Sequence, residues 1–127
     1  MKLNVKKLNK NAIIPTKENS TSAALDLYAC TKALTVIAPN TTLTVNTGIS
    51  VEIPDGFVGL IIARDDLARK QGIAPAYKVG LINSDYVGEI VVALHNHGSV
   101  PQVMQPMERI AQLMVIPYVP VTAVEVK

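Results

Sequence analysis

Short apolar segments recur along this chain, separated by Pro, Gly and Asn at intervals of roughly eight to twelve residues. "ALTVIAP", "TLTVNTGISVEIP", "FVGLIIA", "GEIVVALHN" and "AQLMVIPYVPVTAVEV" are all rich in Val, Ile, Leu and Thr. Evenly spaced, β-branched segments of this kind predict an all-β sandwich or barrel. "DLARKQ" is the one helical candidate, a single turn ended by Gly72. No repeat, linker or low-complexity stretch interrupts the pattern, so residues 1–127 are expected to form one β-barrel domain.

Composition narrows the possibilities. A chain of 127 residues is large enough to bury a core but small for two domains. Phe57 is the only phenylalanine and tryptophan is absent, so the core must be aliphatic. No apolar run is long enough to cross a bilayer, and "MKLNVKKLNKNAIIP" lacks the apolar region of a signal peptide. A soluble, cytoplasmic protein without a membrane partner is the expectation. The single cysteine, Cys30, cannot form an internal disulfide and reads as a structural thiol rather than a nucleophile. A net charge of +2 gives no argument for a nucleic-acid partner. The apolar tail "LMVIPYVPVTAVEVK" and the many Val and Ile residues point to surface hidden between subunits, against a two-sided buried strand as the plainer account.

Four separated segments carry more specific information. "SAALDLYA" contains Asp26, "ARDDLARKQGI" contains Arg64, "APAYKVGLINSDYVGE" contains Gly80 and Tyr86, and "MERIAQL" contains Arg109 and Gln112. In this order and spacing they resemble the four internal motifs of the trimeric dUTP diphosphatase (dUTPase) family, over about residues 20 to 118. The resemblance implies a jelly-roll-like β-barrel, a homotrimer, and active sites at subunit boundaries. It also implies hydrolysis of dUTP to dUMP and pyrophosphate, with Mg²⁺ held on the triphosphate. A hairpin around the third motif would read uracil through its backbone, and Tyr86 would pack on the deoxyribose.

Several positions depart from the family pattern. Asn83 stands where the family has the aspartate that activates water, and a carboxamide cannot accept that proton. Asp65 and Asp66 replace a Ser-Gly pair that receives phosphate. A carboxylate about 4 Å from a phosphate costs roughly 1 to 4 kcal/mol in repulsion. A metal-binding role for the aspartate pair is outweighed by an N-cap or first-turn role, pairing with Arg69 or Lys70. Tyr77 replaces an asparagine beside the base, and Val87 an outward polar or basic residue. The family's fifth motif, a glycine-rich arm, has no counterpart before Lys127.

These departures favour a catalytically silent or strongly impaired trimer that acts as an assembly scaffold, either a natural relative or an engineered one. Its partner would be itself, with a second protein or a larger assembly left open, and no cofactor is expected for this chain. Apolar residues in "HGSVPQVMQP" would suit such a contact. The alternative is an active dUTP diphosphatase that takes dUTP. His95 and His97 share one strand face but lack a third ligand, so no metal is expected there. A nucleotide deaminase is disfavoured, because Glu89 belongs to the Gly-Glu pair of the third motif.

Overall fold

The computed structural model describes residues 1–127. Eleven strands and one helix follow in order: β1 (Asn4–Lys7), β2 (Leu25–Tyr28), β3 (Thr35–Ile37), β4 (Thr42–Asn46), β5 (Ile49–Glu52), β6 (Phe57–Ile62), α1 (Asp65–Gln71), β7 (Ile73–Pro75), β8 (Gly80–Ile82), β9 (Val91–Asn96), β10 (Gln102–Met104) and β11 (Arg109–Pro117). They assemble as an all-β, jelly-roll-like fold. A four-stranded sheet runs β2-β11-β6-β8, a three-stranded sheet runs β4-β9-β7, and the pairs β1-β5 and β3-β10 complete the walls. Every pairing is antiparallel.

Alternation of buried and exposed positions explains why these segments become strands. In β9, Val92, Leu94 and Asn96 point inward while Val91 is exposed. A strand with one apolar face gains its stability by burying that face against a second sheet. The core is a cluster of 19 residues without a single aromatic, dominated by Ile, Leu and Val and including Leu27, Ile49, Ile90, Leu94, Ile110 and Leu113. The aliphatic core expected from composition is therefore present. Between Arg109 and Ala111 the register of β11 against β2 shifts by one residue, a bulge that places Ile110 and Ala111 consecutively inside.

One expectation needs correction and another is narrowed. Strand character does not continue to Val126. β11 ends at Pro117, and after Tyr118, whose N–H reaches the Gly56 carbonyl at 3.2 Å, the chain has no strand partner. Pro120 cannot donate to a ladder, and Val119, Val121, Val124 and Val126 are 79% to 90% exposed. Neither aspartate caps α1. Arg64 is the N-cap, without a side-chain bond, and Asp65 and Asp66 fill the first turn, where acidic groups suit the helix dipole. Arg69 donates to Asp65 at 3.2 Å, one turn along, so the pairing with Arg69 holds and that with Lys70 does not form.

Gly72 ends α1 in the left-handed conformation (φ +70°), a region open to glycine at little cost. Its carbonyl accepts from the His97 N–H at 2.8 Å, and a Cβ there would lie 3.0 Å from the Gly98 nitrogen. Asn96 locks this junction. Fully buried, it donates to the carbonyls of Ile37 and Val100 at 2.9 Å and accepts from the Gly98 N–H at 2.9 Å. Removing the amide strands buried backbone groups, which costs about 1–3 kcal/mol per group. Asn96→Ala is expected to lower unfolding free energy by at least about 2 kcal/mol in urea titration at fixed protein concentration.

Candidate functional site

The first group of chemistry-bearing side chains converges on Asp26. Its place on β2 buries it almost completely, and a buried carboxylate must be paired. Arg64, delivered by the turn between β6 and α1, donates from Nε to Asp26 Oδ1 at 3.1 Å. Arg109, re-aimed by the bulge in β11, donates from Nη1 to Asp26 Oδ2 at 3.5 Å. Gln112 lies directly across from Asp26 in the β2-β11 register. The Asp26 backbone bonds Thr16 in both directions, and the Thr16 hydroxyl meets the Tyr28 hydroxyl at 2.6 Å. Arg64 is largely covered, whereas Arg109 is 45% exposed.

Beside these arginines opens a polar cleft of about 360 Å³, lined by Arg64, Asp66, Lys70, Gln71, Glu108 and Arg109 together with Leu67. Three cations and two carboxylates share it. Arginines held in place by a carboxylate present their remaining N–H groups in a fixed fork, the geometry that recognises phosphate or carboxylate.

The second group lies around the turn between β8 and β9. The strands leaving this turn do not pair with each other. β8 bonds β6 and is the last strand of its sheet, whereas β9 sits between β4 and β7 in the other. They therefore splay apart. The gap is an apolar cleft of about 210 Å³, and its walls include Tyr77, Gly80, Leu81, Tyr86, Glu89 and Val91. One side of it is the free backbone edge of β8, whose N–H and C=O groups have no ladder partner.

Two tyrosines flank this cleft, each resting on a glycine. The Tyr86 ring lies over Gly88, where a Cβ would come within 2.7 Å of its hydroxyl oxygen. That hydroxyl donates to the Glu89 carbonyl at 2.6 Å, and the Glu89 carboxylate accepts from the Gly48 N–H at 2.9 Å. The Tyr77 ring lies over Gly80 in the same way, but its hydroxyl has no protein partner. Burial pushes the Tyr77 phenol above the usual tyrosine range.

The apolar cleft runs along β8, with the paired residues Ile61 and Gly80 both in its wall, and the polar cleft lies beyond the end of β6 at Arg64. Ile82 pairs with Gly59, so Asn83 follows toward the start of β6, while Arg64 lies beyond its end. At about 3.3 Å per residue this separates Asn83 from the arginine cluster by roughly 15–20 Å along the strand. Asn83 is exposed at the turn, with its carbonyl accepting from the Tyr86 N–H at 3.1 Å. Asp85 and Val87 are exposed on the same turn. The structure thus brings together Asp26, Arg64, Asp66, Arg109 and Gln112 in one place and Tyr77, Gly80 and Tyr86 in another, and keeps Asn83 with the second set. Asp65 turns to Arg69 rather than into either cleft. His95 bonds the Thr42 hydroxyl at 2.8 Å and its ring tilts against that of His97, with centroids 4.5 Å apart.

Sequence reading passed over Lys70, Gln71 and Glu108 as cleft residues. Lys70 and Gln71 do carry a signal, since each lies four residues after another cleft residue, Asp66 and Leu67, and positions four apart on a helix share a side. Glu108 precedes Arg109 in "MERIAQL", but nothing in the sequence reveals that it faces α1. The Thr16 bridge to Asp26 carries no local signal, because it joins a loop to a strand through backbone groups alone.

Comparison with known proteins gives this geometry its family. Residues 10–127 match the family model described as dUTPase. The deoxyuridine 5'-triphosphate nucleotidohydrolase of Ralstonia pickettii (strain 12J) is 42% identical over 122 residues, covering 94% of this chain and 82% of that protein. The enzyme of the same name from Bordetella pertussis is 43% identical over 105 residues, covering 82% of this chain and 70% of its own. Among solved structures, the Staphylococcus bacteriophage 80alpha dUTPase superposes with a TM-score of 0.90 at 24% identity, covering 99% of this chain and 96% of that one. The dUTPase from phage phi11 of S. aureus also reaches 0.90, at 20% identity, covering 100% and 97%. At such identities the structural likeness speaks for the fold, and the sequence relatives carry the assignment: this chain belongs to the dUTPase family.

Proposed function

We propose that this chain binds dUTP and hydrolyses it to dUMP and pyrophosphate, as a homotrimer whose sites form between copies. The observation that carries this reading is the presence of two unlike clefts on one chain. One is apolar, walled by tyrosines and bordered by free backbone; the other is rich in fixed arginines. A nucleoside suits the first and a triphosphate the second. Asn83 lies roughly 15–20 Å along β6 from the arginine cluster of its own chain, so a nucleotide that meets both does so when a second copy brings its arginine cluster to the first copy's β8-β9 turn.

In this reading the unpaired N–H and C=O groups of β8 hydrogen-bond the edge of the base. The Tyr86 ring, held by Glu89, packs on the sugar and leaves no space for a 2′-hydroxyl. Asp26 is a positioning residue: it orients Arg64 and Arg109, which receive the phosphates. Gln112 borders the same cluster. Asp66 and Glu108 line that cleft, and their charge opposes phosphate unless a cation intervenes. Mg²⁺ accompanying the triphosphate would neutralise charge there. Asp26 is not available to it, since both carboxylate oxygens face arginines, so Asp66 and Glu108 are the residues that would meet its bound waters. A phage phi11 dUTPase structure is described as revealing the coordination of a structural Mg(II) ion, which accords with a place for this cation in the family.

Asn83 orients the attacking water but does not take its proton, which passes to solvent. This slows the chemical step by about 10²- to 10⁴-fold relative to a carboxylate at that position. Asn83 also supports the second reading, a trimer that binds without turnover. The relatives named as nucleotidohydrolases favour the hydrolase, and the comparisons give no support to a scaffold or an engineered origin.

Pyrophosphate release from dUTP and Mg²⁺ separates these readings. Slow turnover is expected from the native chain, and Asn83→Asp should raise kcat by about 10²- to 10⁴-fold with little change in KM. A folded Asn83→Asp protein with no turnover would favour the silent trimer. Arg109→Ala removes a charged hydrogen bond to phosphate worth about 1.5–3 kcal/mol. It should weaken dUTP binding about 10- to 100-fold by calorimetry while leaving binding of deoxyuridine itself nearly unchanged.

A further inference from the structure

We propose that Tyr77 lowers the affinity of the apolar cleft for its ligand by filling, with its own ring, the notch that Gly80 leaves beside β8. The inference rests on the reading of this cleft as the nucleoside site. Gly80 has no side chain, and in a cleft meant for a flat ring a bare backbone is useful, because a planar group can lie directly on it. That space is already taken. A Cβ on Gly80 would meet Tyr77 Cε2 at 2.5 Å, Cζ at 2.9 Å and the hydroxyl oxygen at 3.1 Å, so the phenol ring covers the notch.

The two tyrosines of the cleft differ in how they are held. Tyr86 is anchored at its hydroxyl by the Glu89 carbonyl at 2.6 Å. Tyr77 has no hydrogen bond on its side chain and is 40% exposed, so only packing retains it. Its backbone, by contrast, is tightly fixed. The Lys78 N–H bonds the Pro75 carbonyl at 3.1 Å, the Val79 N–H bonds the Tyr77 carbonyl at 2.8 Å, and Lys78 takes a left-handed φ of +66°. The Ala76 N–H also bonds the Ala93 carbonyl at 2.8 Å. The turn stays in place, and the ring leaves only by rotating its side chain, a rapid motion for a partly exposed residue.

Ring and base therefore compete for one surface. When the competent state is a minor fraction of the population, the apparent dissociation constant rises by the reciprocal of that fraction. A ring that covers the notch for about nine-tenths of the time weakens binding about tenfold. The hydroxyl contributes nothing to this competition, because it has no partner to lose.

Calorimetric titration of the full chain with dUMP tests the proposal. Tyr77→Ala should bind dUMP about tenfold more tightly than the native protein, and Tyr77→Phe should bind within about twofold of it. Weaker or unchanged binding by Tyr77→Ala would overturn the proposal and make Tyr77 a stacking wall or a bystander. If the native chain and the variant both fail to bind dUMP, the nucleoside reading falls with it. Native binding without the gain overturns the Tyr77 role alone. Should Tyr77→Ala fail to fold, tyrosine-labelled native protein decides. The ring resonances lost in Tyr77→Phe must shift on dUMP saturation, and a Tyr77 ring unmoved by ligand overturns the proposal.

Discussion

Two strands that are neighbours in sequence, β8 and β9, are claimed by different sheets, and the arrangement of the site follows from that. A strand edge left unpaired is ordinarily a liability, because its N–H and C=O groups invite another chain. Here the edge of β8 borders an apolar cleft walled by tyrosines, so the same unpaired groups become available to a ligand of matching polarity. The cleft exists because β8 is committed to β6 and β9 to β4 and β7. Had the two strands closed into an ordinary hairpin, the backbone would be satisfied and no gap would remain.

The second determinant is a buried charge. Asp26 is almost wholly removed from water and lies between Arg64 and Arg109. Breaking such a pair leaves an uncompensated buried charge, so the three residues act as a unit that fixes two guanidinium groups at the mouth of the polar cleft. The β11 bulge and the turn into α1 are the local devices that aim them. Asn83, by contrast, lies roughly 15–20 Å along β6 from this cluster within one chain, the separation on which the proposed sharing of sites between copies rests.

Much of this was legible in the sequence, for identifiable reasons. Strand positions follow from alternation, which records only which face is buried, and the order of the four motifs carried the family. The presence of the helix and its end at Gly72 followed from punctuation. The tail was misjudged because "VPVTAVEV" has strand composition, while composition cannot show whether a partner strand is present within the chain. Of the N-cap or first-turn role expected of an aspartate, the first turn is the one taken, because Arg64, held by Asp26 from a distant strand, occupies the cap. Asn83 could be read as a departure, but its separation from the arginines could not, since it depends on the β6-β8 register. The contact between Tyr77 and Gly80 was likewise invisible, because it requires the left-handed turn at Lys78.

The central claim is that a complete site needs two copies, and subunit mixing tests it most directly. One population carries Tyr86→Ala, damaging the β8-β9 turn, and the other carries Arg64→Ala with Arg109→Ala, damaging the cation cluster. Each alone should bind dUTP poorly. Unfolded together and reassembled, they should regain a fraction of native-affinity sites, where an intact β8-β9 turn from one copy meets an intact cluster from another. Mixed assemblies that form but recover no tight binding would show that each site is built within one chain, and would contradict the account.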